Sequence, residues 1–345
     1  MIEVDAEALT TTPVGLLLLA ELAGLNRFDF LEQIGEEPHR EVGDVVSRHV
    51  AARSASLDQL AGCNDRLALL SAFAAVMCPG AADTAAAPQL ATAAASLLPV
   101  ARSLATAPAG QWWWEQPDRN HQRWLAVGDK PPPRGQAFAD GLRAQTEADE
   151  EEERHAAREL PWPPRDGSVY SGIWWSPPLG HGVFTTTGPI GALPAVGLGC
   201  LVDSAGEEVF QIWDIEIASQ ARIWEIAGPD DWGRLTARYP RDVTASRQHD
   251  WYRMTGRDVS WVLPDWPKVA QDWDGVHLSI AGFITATGFA ITVGDAATVL
   301  IGWEPDQTLW LNDVFTAVDH AGSWAGIPGL EAFPADLHLP WLESC

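Results

Sequence analysis

Apolar residues in the first hundred positions return at helical intervals. Leu57, Leu60, Leu67, Leu70 and Phe73 recur at three- and seven-residue steps, the spacing of one apolar helical stripe. Pro79-Gly80 is expected to end that helix. Residues 81–105 read as one or two further helices, broken near Pro88 and Pro99. Residues 1–108 are therefore expected to form a small helical bundle, a packing or docking module without chemistry of its own. After residue 166 the pattern shortens. Residues 168–175, 183–187, 209–217, 222–226, 275–280, 290–293, 298–303 and 308–311 read as strands, rich in aromatic and β-branched residues. Residues 229–239 and 264–271 read as helices, and 188–199 as a loop punctuated by glycine and proline.

Residues 109–166 form a junction between these textures. Trp112, Trp113 and Trp114 are expected to pack between the two regions. Pro131 to Pro133 make a stiff connector. Residues 137–160 read as a charged helix whose run Glu150 to Glu153 is taken as a solvated face. The fold class expected is α+β: a helical domain over 1–108, a junction over 109–166, and a mixed domain with a mainly antiparallel sheet over 167–345.

Composition narrows the function classes. Acidic residues outnumber basic ones 47 to 22, giving a formal charge of −25. Such a surface repels phosphate backbones, so bulk electrostatic binding of nucleic acid is not expected. The plain reading of the acidity is solubility; the sharper one is a surface that blocks a basic partner. Cys63, Cys78, Cys200 and Cys345 lie far apart without a CxxC pair, so no structural metal site is expected, and they read as reduced thiols of a cytoplasmic protein. The apolar run Val14 to Ala20 is too short to span a bilayer and follows Glu3, Asp5 and Glu7, not a basic segment. Neither a signal peptide nor a membrane span is expected. All 18 tryptophans fall after residue 110, which directs attention to the second half of the chain.

The signatures GxxxxGK[ST], HExxH and GxSxG are absent, and the nine histidines form no close ligand pair. What remains is an ordered series of short motifs. Val169-Tyr170-Ser171-Gly172 opens the strand-rich region, and Phe184-Thr185-Thr186-Thr187-Gly188 follows. Ala221 to Ile226 precedes Asp231-Trp232 and the stretch Leu235 to Pro240. Pro264-Asp265-Trp266 leads through Val269-Ala270 to Trp273-Asp274-Gly275-Val276-His277. Gly302 to Trp310 closes the series. In this order the motifs, over about residues 165–315, resemble the ADP-ribosyltransferase fold of the toxin-like mono-ADP-ribosyltransferases.

That resemblance implies a split-sheet domain that uses NAD as substrate. It would transfer ADP-ribose to an unknown macromolecular or small-molecule acceptor, or hydrolyse NAD. It places the NAD-binding residues at Tyr170, Ser171, Trp174, Thr185, Thr186 and Thr187, with His181 or Arg165 as nearby basic groups. Ser171 stands where the family carries a basic residue that holds NAD. The catalytic acid would be Asp306 or Glu304, then Glu216, with Asp306 one methylene shorter than the family's usual glutamate. On a strand, Glu304 and Asp306 would share a face. A carboxylate suits this chemistry because breaking the nicotinamide–ribose bond builds positive charge on the ribose. His277 reads as a strand histidine making one structural hydrogen bond, and Trp174 and Trp175 as the aromatic pair lining a pocket. The alternative is a catalytically degenerate member of the same fold, an acidic binding or immunity-type partner.

Overall fold

The computed structural model describes residues 5–25, 39–77, 88–127, 131–164, 170–178, 184–190, 193, 195–199 and 209–325. The chain divides into two compact units. One gathers 1–115, 189–209 and 325–345; the other gathers 116–188 and 210–324. This differs from the three segments read along the sequence: 109–115 joins the helical unit, and 116–166 joins the sheet. No helix among the described residues is long and apolar enough to cross a membrane.

The helical unit contains α1 (Pro13–Leu22), α2 (His39–Ala52), α3 (Ser54–Ala61), α4 (Arg66–Met77) and α5 (Ala94–Thr106). Thr12 caps α1, its hydroxyl accepting the Gly15 N–H at 3.0 Å, and Pro13 takes the first turn, where a missing N–H costs nothing. The stripe from Leu57 to Phe73 proves to be two helices. The chain breaks at Gly62 to Asp65, and the Asp65 carboxylate accepts the Leu67 and Ala68 N–H groups at 3.0 and 3.1 Å, starting a new helix. Pro99 does not break α5; buried Leu97, Val100 and Ala101 hold the helix on both sides of it. The three tryptophans follow directly on the helical unit and belong to it. They close a 3₁₀ helix, Pro108–Trp114, in which Trp113 is fully buried 5.9 Å from Phe73, inside the helical unit.

The second unit is built on β1 (Gln122–Val127), α6 (Gln136–Glu159), β2 (Phe184–Thr187), β3 (Val209–Ile217) and β4 (Ile223–Ile226). There follow α7 (Pro229–Arg238), β5 (Pro240–Asp242), α8 (Thr244–Thr255), β6 (Val262–Pro264), α9 (Trp266–Asp272), β7 (Gly275–Leu278) and α10 (Ile280–Ala286). The last elements are β8 (Ala290–Val293), β9 (Ala296–Val299), β10 (Gln307–Trp310) and β11 (Phe315–Ala325). Seven strands form one sheet in the order β11–β3–β1–β2–β10–β7–β4. The pairs β3–β1, β1–β2, β2–β10 and β10–β7 are antiparallel, and β7–β4 is parallel. The α+β class is thus present.

Alternation along the strands supplies the two cores. Val276, Leu278 and Leu309 join Trp232, Trp251, Trp261, Trp266 and Trp303 in one buried cluster. Trp310 and Phe184 join Phe138, Ile215 and Phe315 in another.

Several elements depart from the sequence reading. The expected strand 168–175 is not one. Residues 165–169 lie outside the described part, and 170–175 make no strand pairing. Instead the Ser171 hydroxyl donates to Asp250 Oδ1 on α8 at 3.0 Å, and Arg253 donates to the Tyr170 carbonyl at 2.6 Å. The apolar run after Gly275 is a strand followed by a helix, because the Ser279 hydroxyl accepts the Gly282 N–H at 3.0 Å and caps α10. Gly282 is required there: any side chain would collide with the Ile226 carbonyl. Helix α8 lacks an apolar stripe but is started from outside. The Glu153 carboxylate of α6 accepts the Ala245 and Ser246 N–H groups at 2.8 and 2.9 Å. Glu153 is therefore a cap, not part of a solvated face.

Candidate active site

The middle of the seven-stranded sheet carries a polar row. Register sets Glu225 of β4 opposite His277 of β7, His277 opposite Thr308 of β10, and Thr308 opposite Thr186 of β2. Side chains opposite one another on neighbouring strands share a face, so the four form a line across the sheet. The His277 imidazole is 1% exposed, and its Nδ1 lies 2.8 and 2.9 Å from the two Glu225 oxygens. Thr186 donates to Gln122 Oε1 at 2.7 Å and accepts the Trp310 indole N–H at 2.9 Å. The Thr308 hydroxyl and His277 Nε2 are buried without a hydrogen-bond partner among the described residues.

Asp306 sits at the end of this row, in the turn that enters β10. Its φ is +52°, and among the described residues it is the one non-glycine residue with positive φ. Aspartate tolerates that conformation better than most residues, yet the position is strained and points to a local demand. Asp306 Oδ2 accepts the Thr187 hydroxyl at 3.1 Å and the Gly188 N–H at 3.0 Å. Its Oδ1 faces His277 Nε2 at 3.6 Å. The side chain keeps 15% of its surface accessible, so the carboxylate is anchored without being sealed.

Electrostatics follow from this packing. Burial disfavours the His277 imidazolium, but the Glu225 carboxylate beside it, with Asp306 on the other side, outweighs that cost. Its pKa is raised from 6.5 to about 9. Burial alone pushes the Glu304 carboxyl up to about 7. Glu304 accepts a hydrogen bond from the Gln307 amide at 3.2 Å.

The residues singled out in the sequence fall into two groups. Asp306, Thr186 and Thr187 converge. Thr185 lies on β2 opposite Leu309, on the sheet face away from Thr186. Glu304 precedes β10 in irregular chain and not on a strand, so it does not share a strand face with Asp306. Glu216 is exposed on β3, separated from β10 by β1 and β2, and is not part of the site. Tyr170 and Ser171 are held on α8 by hydrogen bonds with Arg253 and Asp250. Trp174 is 38% exposed, and its carbonyl accepts the Trp251 indole N–H at 2.7 Å. Trp174 and Trp175 press on Gly302, whose φ of +71° and lack of a side chain permit the approach. His181 and Arg165 lie outside the described residues.

Sequence reasoning missed Glu225 and Thr308, while His277, read as making one structural hydrogen bond, makes it with the Glu225 carboxylate. Nothing in the local sequence links them, because 52 residues separate Glu225 from His277. Only the parallel β4–β7 pairing joins them.

No protein-family model, curated protein or solved structure matches the chain.

Proposed function

We propose that this protein is an enzyme whose reacting carboxylate is Asp306, and that it breaks the nicotinamide–ribose bond of NAD, passing ADP-ribose to an acceptor or to water. The observation that carries the proposal is the convergence of Asp306 with the threonine strand, through Thr187 Oγ1 and the Gly188 N–H. The cleavage develops positive charge on the ribose carbon. A preorganised carboxylate lowers the energy of that charge without having to reorganise during the reaction. Two donors on one carboxylate oxygen supply the preorganisation, and the strained backbone of Asp306 fits a residue placed for function.

The residues present fit the sugar half of NAD better than its pyrophosphate. A carboxylate beside buried hydroxyl and imidazole groups suits a ribose. Ser171, which stands where the resemblance places a basic residue that holds NAD, already donates to Asp250. That occupied hydroxyl favours a second reading, in which the fold is a degenerate transferase and the acidic protein blocks a basic partner.

Nicotinamide release from NAD by the purified full chain decides between them. The first reading expects release by the wild type and a loss of roughly 10²–10³-fold in Asp306→Ala, the cost of removing one electrostatic transition-state contact. A folded wild type that neither binds NAD by calorimetry nor releases nicotinamide sinks it in favour of the second.

A further inference from the structure

We infer that Glu225, acting through His277, is a positioning residue for Asp306. The three side chains form a carboxylate–imidazole–carboxylate chain across β4, β7 and the turn before β10. This deepens the reading of Asp306 as the reacting carboxylate and rests on it.

The proton positions follow from donor and acceptor chemistry. Both Glu225 oxygens lie within 2.9 Å of His277 Nδ1, and an ionised carboxylate only accepts, so Nδ1 carries a proton. Nε2 faces Asp306 Oδ1 at 3.6 Å. A lone pair there would oppose the oxygen's own lone pairs, whereas an N–H would be attracted to it. With no other partner for Nε2 among the described residues, an N–H aimed at Asp306 is the arrangement that leaves least polarity unmet.

The charges agree. The groups that bear on the ring are Glu225 from β4 and Asp306 from the turn before β10; Thr308 of β10 contributes only a neutral hydroxyl. One imidazolium therefore sits between two carboxylates. Asp306 then has Thr187 and Gly188 donating to Oδ2 and the His277 ring facing Oδ1 at 3.6 Å. Such a carboxylate is held from both sides. Glu225 acts through His277 in this arrangement. It keeps His277 charged, and His277 holds Asp306.

Histidine-ring ¹⁵N labelling of the full-length protein tests the chain directly. The His277 signals are assigned by their loss in His277→Gln. In the wild type both ring nitrogens should be protonated at neutral pH and titrate near pH 9. Glu225→Gln should lower that midpoint by more than about one unit, and Glu225→Asp should restore part of it. Far-UV circular dichroism confirms that each variant is folded. In the same samples Glu225→Gln should reduce kcat for nicotinamide release by roughly tenfold or more, with KM changed little. The loss should deepen as pH rises past the lowered midpoint. A neutral His277 at neutral pH in the wild type, or a midpoint unmoved by Glu225→Gln, overturns the chain. A lowered midpoint with unchanged kcat overturns the positioning role. A wild type that releases no nicotinamide overturns the reading of Asp306 itself. That failure appears before any variant is made, while the titration still decides the chain.

Discussion

The two units bury different chemistry. The helical unit fills its interior with Leu9, Leu16 to Leu19, Leu69, Leu70, Leu97 and Leu104, adding Phe73 and Trp113; its buried polar side chains among the described residues are Thr12, Glu21 and Ser56. The sheet unit buries Trp232, Trp251, Trp261, Trp266 and Trp310, and with them Gln122, Thr186, Arg247, His249, His277, Thr298 and Thr308. Aliphatic side chains need only volume and a dry surface. Indoles and imidazoles need partners as well, so a core made of them fixes directions as well as shape. The Trp232 indole N–H, for example, donates to the Thr298 hydroxyl at 3.1 Å. A core that fixes directions is the one able to hold a carboxylate in a strained turn. The helical unit packs its core without that constraint.

Truncations in the two cores give the largest test of this contrast. Leu97→Ala should cost about 2–5 kcal/mol, from lost burial and a cavity. Trp232→Ala should cost about 3–5 kcal/mol and also strand the Thr298 hydroxyl. Denaturant unfolding measures both. The distinction fails if Trp232→Ala proves the milder change, or if Leu97→Ala shifts the His277 titration as far as Trp232→Ala does.

Acidity sharpens the contrast next, through the sheet unit's buried ionisable groups. Glu304 has a raised pKa, so the folded state favours its neutral form. It costs nothing below its ordinary value of 4.5, and the cost grows as pH rises to about 7. Glu304 retains some contact with water, so the full penalty is on the order of 1–3 kcal/mol. Glu304→Gln should remove that slope between about pH 4.5 and 7 in unfolding titrations. An unchanged slope would mean that Glu304 ionises freely in the folded protein. His277 shifts stability in the same direction, at higher pH. Its stabilising contribution is complete below 6.5 and is lost as pH climbs through about 9.

The smallest effect is expected at Thr308. Its hydroxyl is buried without a partner among the described residues, so Thr308→Val, which keeps the shape, should be neutral or stabilising by up to about 1 kcal/mol. A clear loss of stability would show that the hydroxyl is satisfied, by an ordered water for instance.

Strand β2, strand β3, helix α7 and strand β8 were legible in the sequence because each carries its own period, cap or breaker. Strand β1 was hidden in a junction dominated by tryptophan, proline and charge. Helix α8 was hidden because its start is set by Glu153, more than 90 residues earlier in the chain. Asp306 and Thr187 were both candidates from the sequence. Their hydrogen bond was not readable, since it depends on β2 and β10 being neighbours in the sheet order.

The sequence by itself determined the α+β class, the helical first part, the strong negative charge and the pool of carboxylates. These follow from composition and from periodicities that act within a few residues. Tertiary structure decided which carboxylate meets the threonine strand. Glu216, Glu304 and Asp306 have similar chemistry, and only strand pairing sets Asp306 against Thr187 and His277 while leaving Glu216 in water. Burial and neighbours shift proton affinity, and those neighbours are brought together by register rather than by sequence proximity.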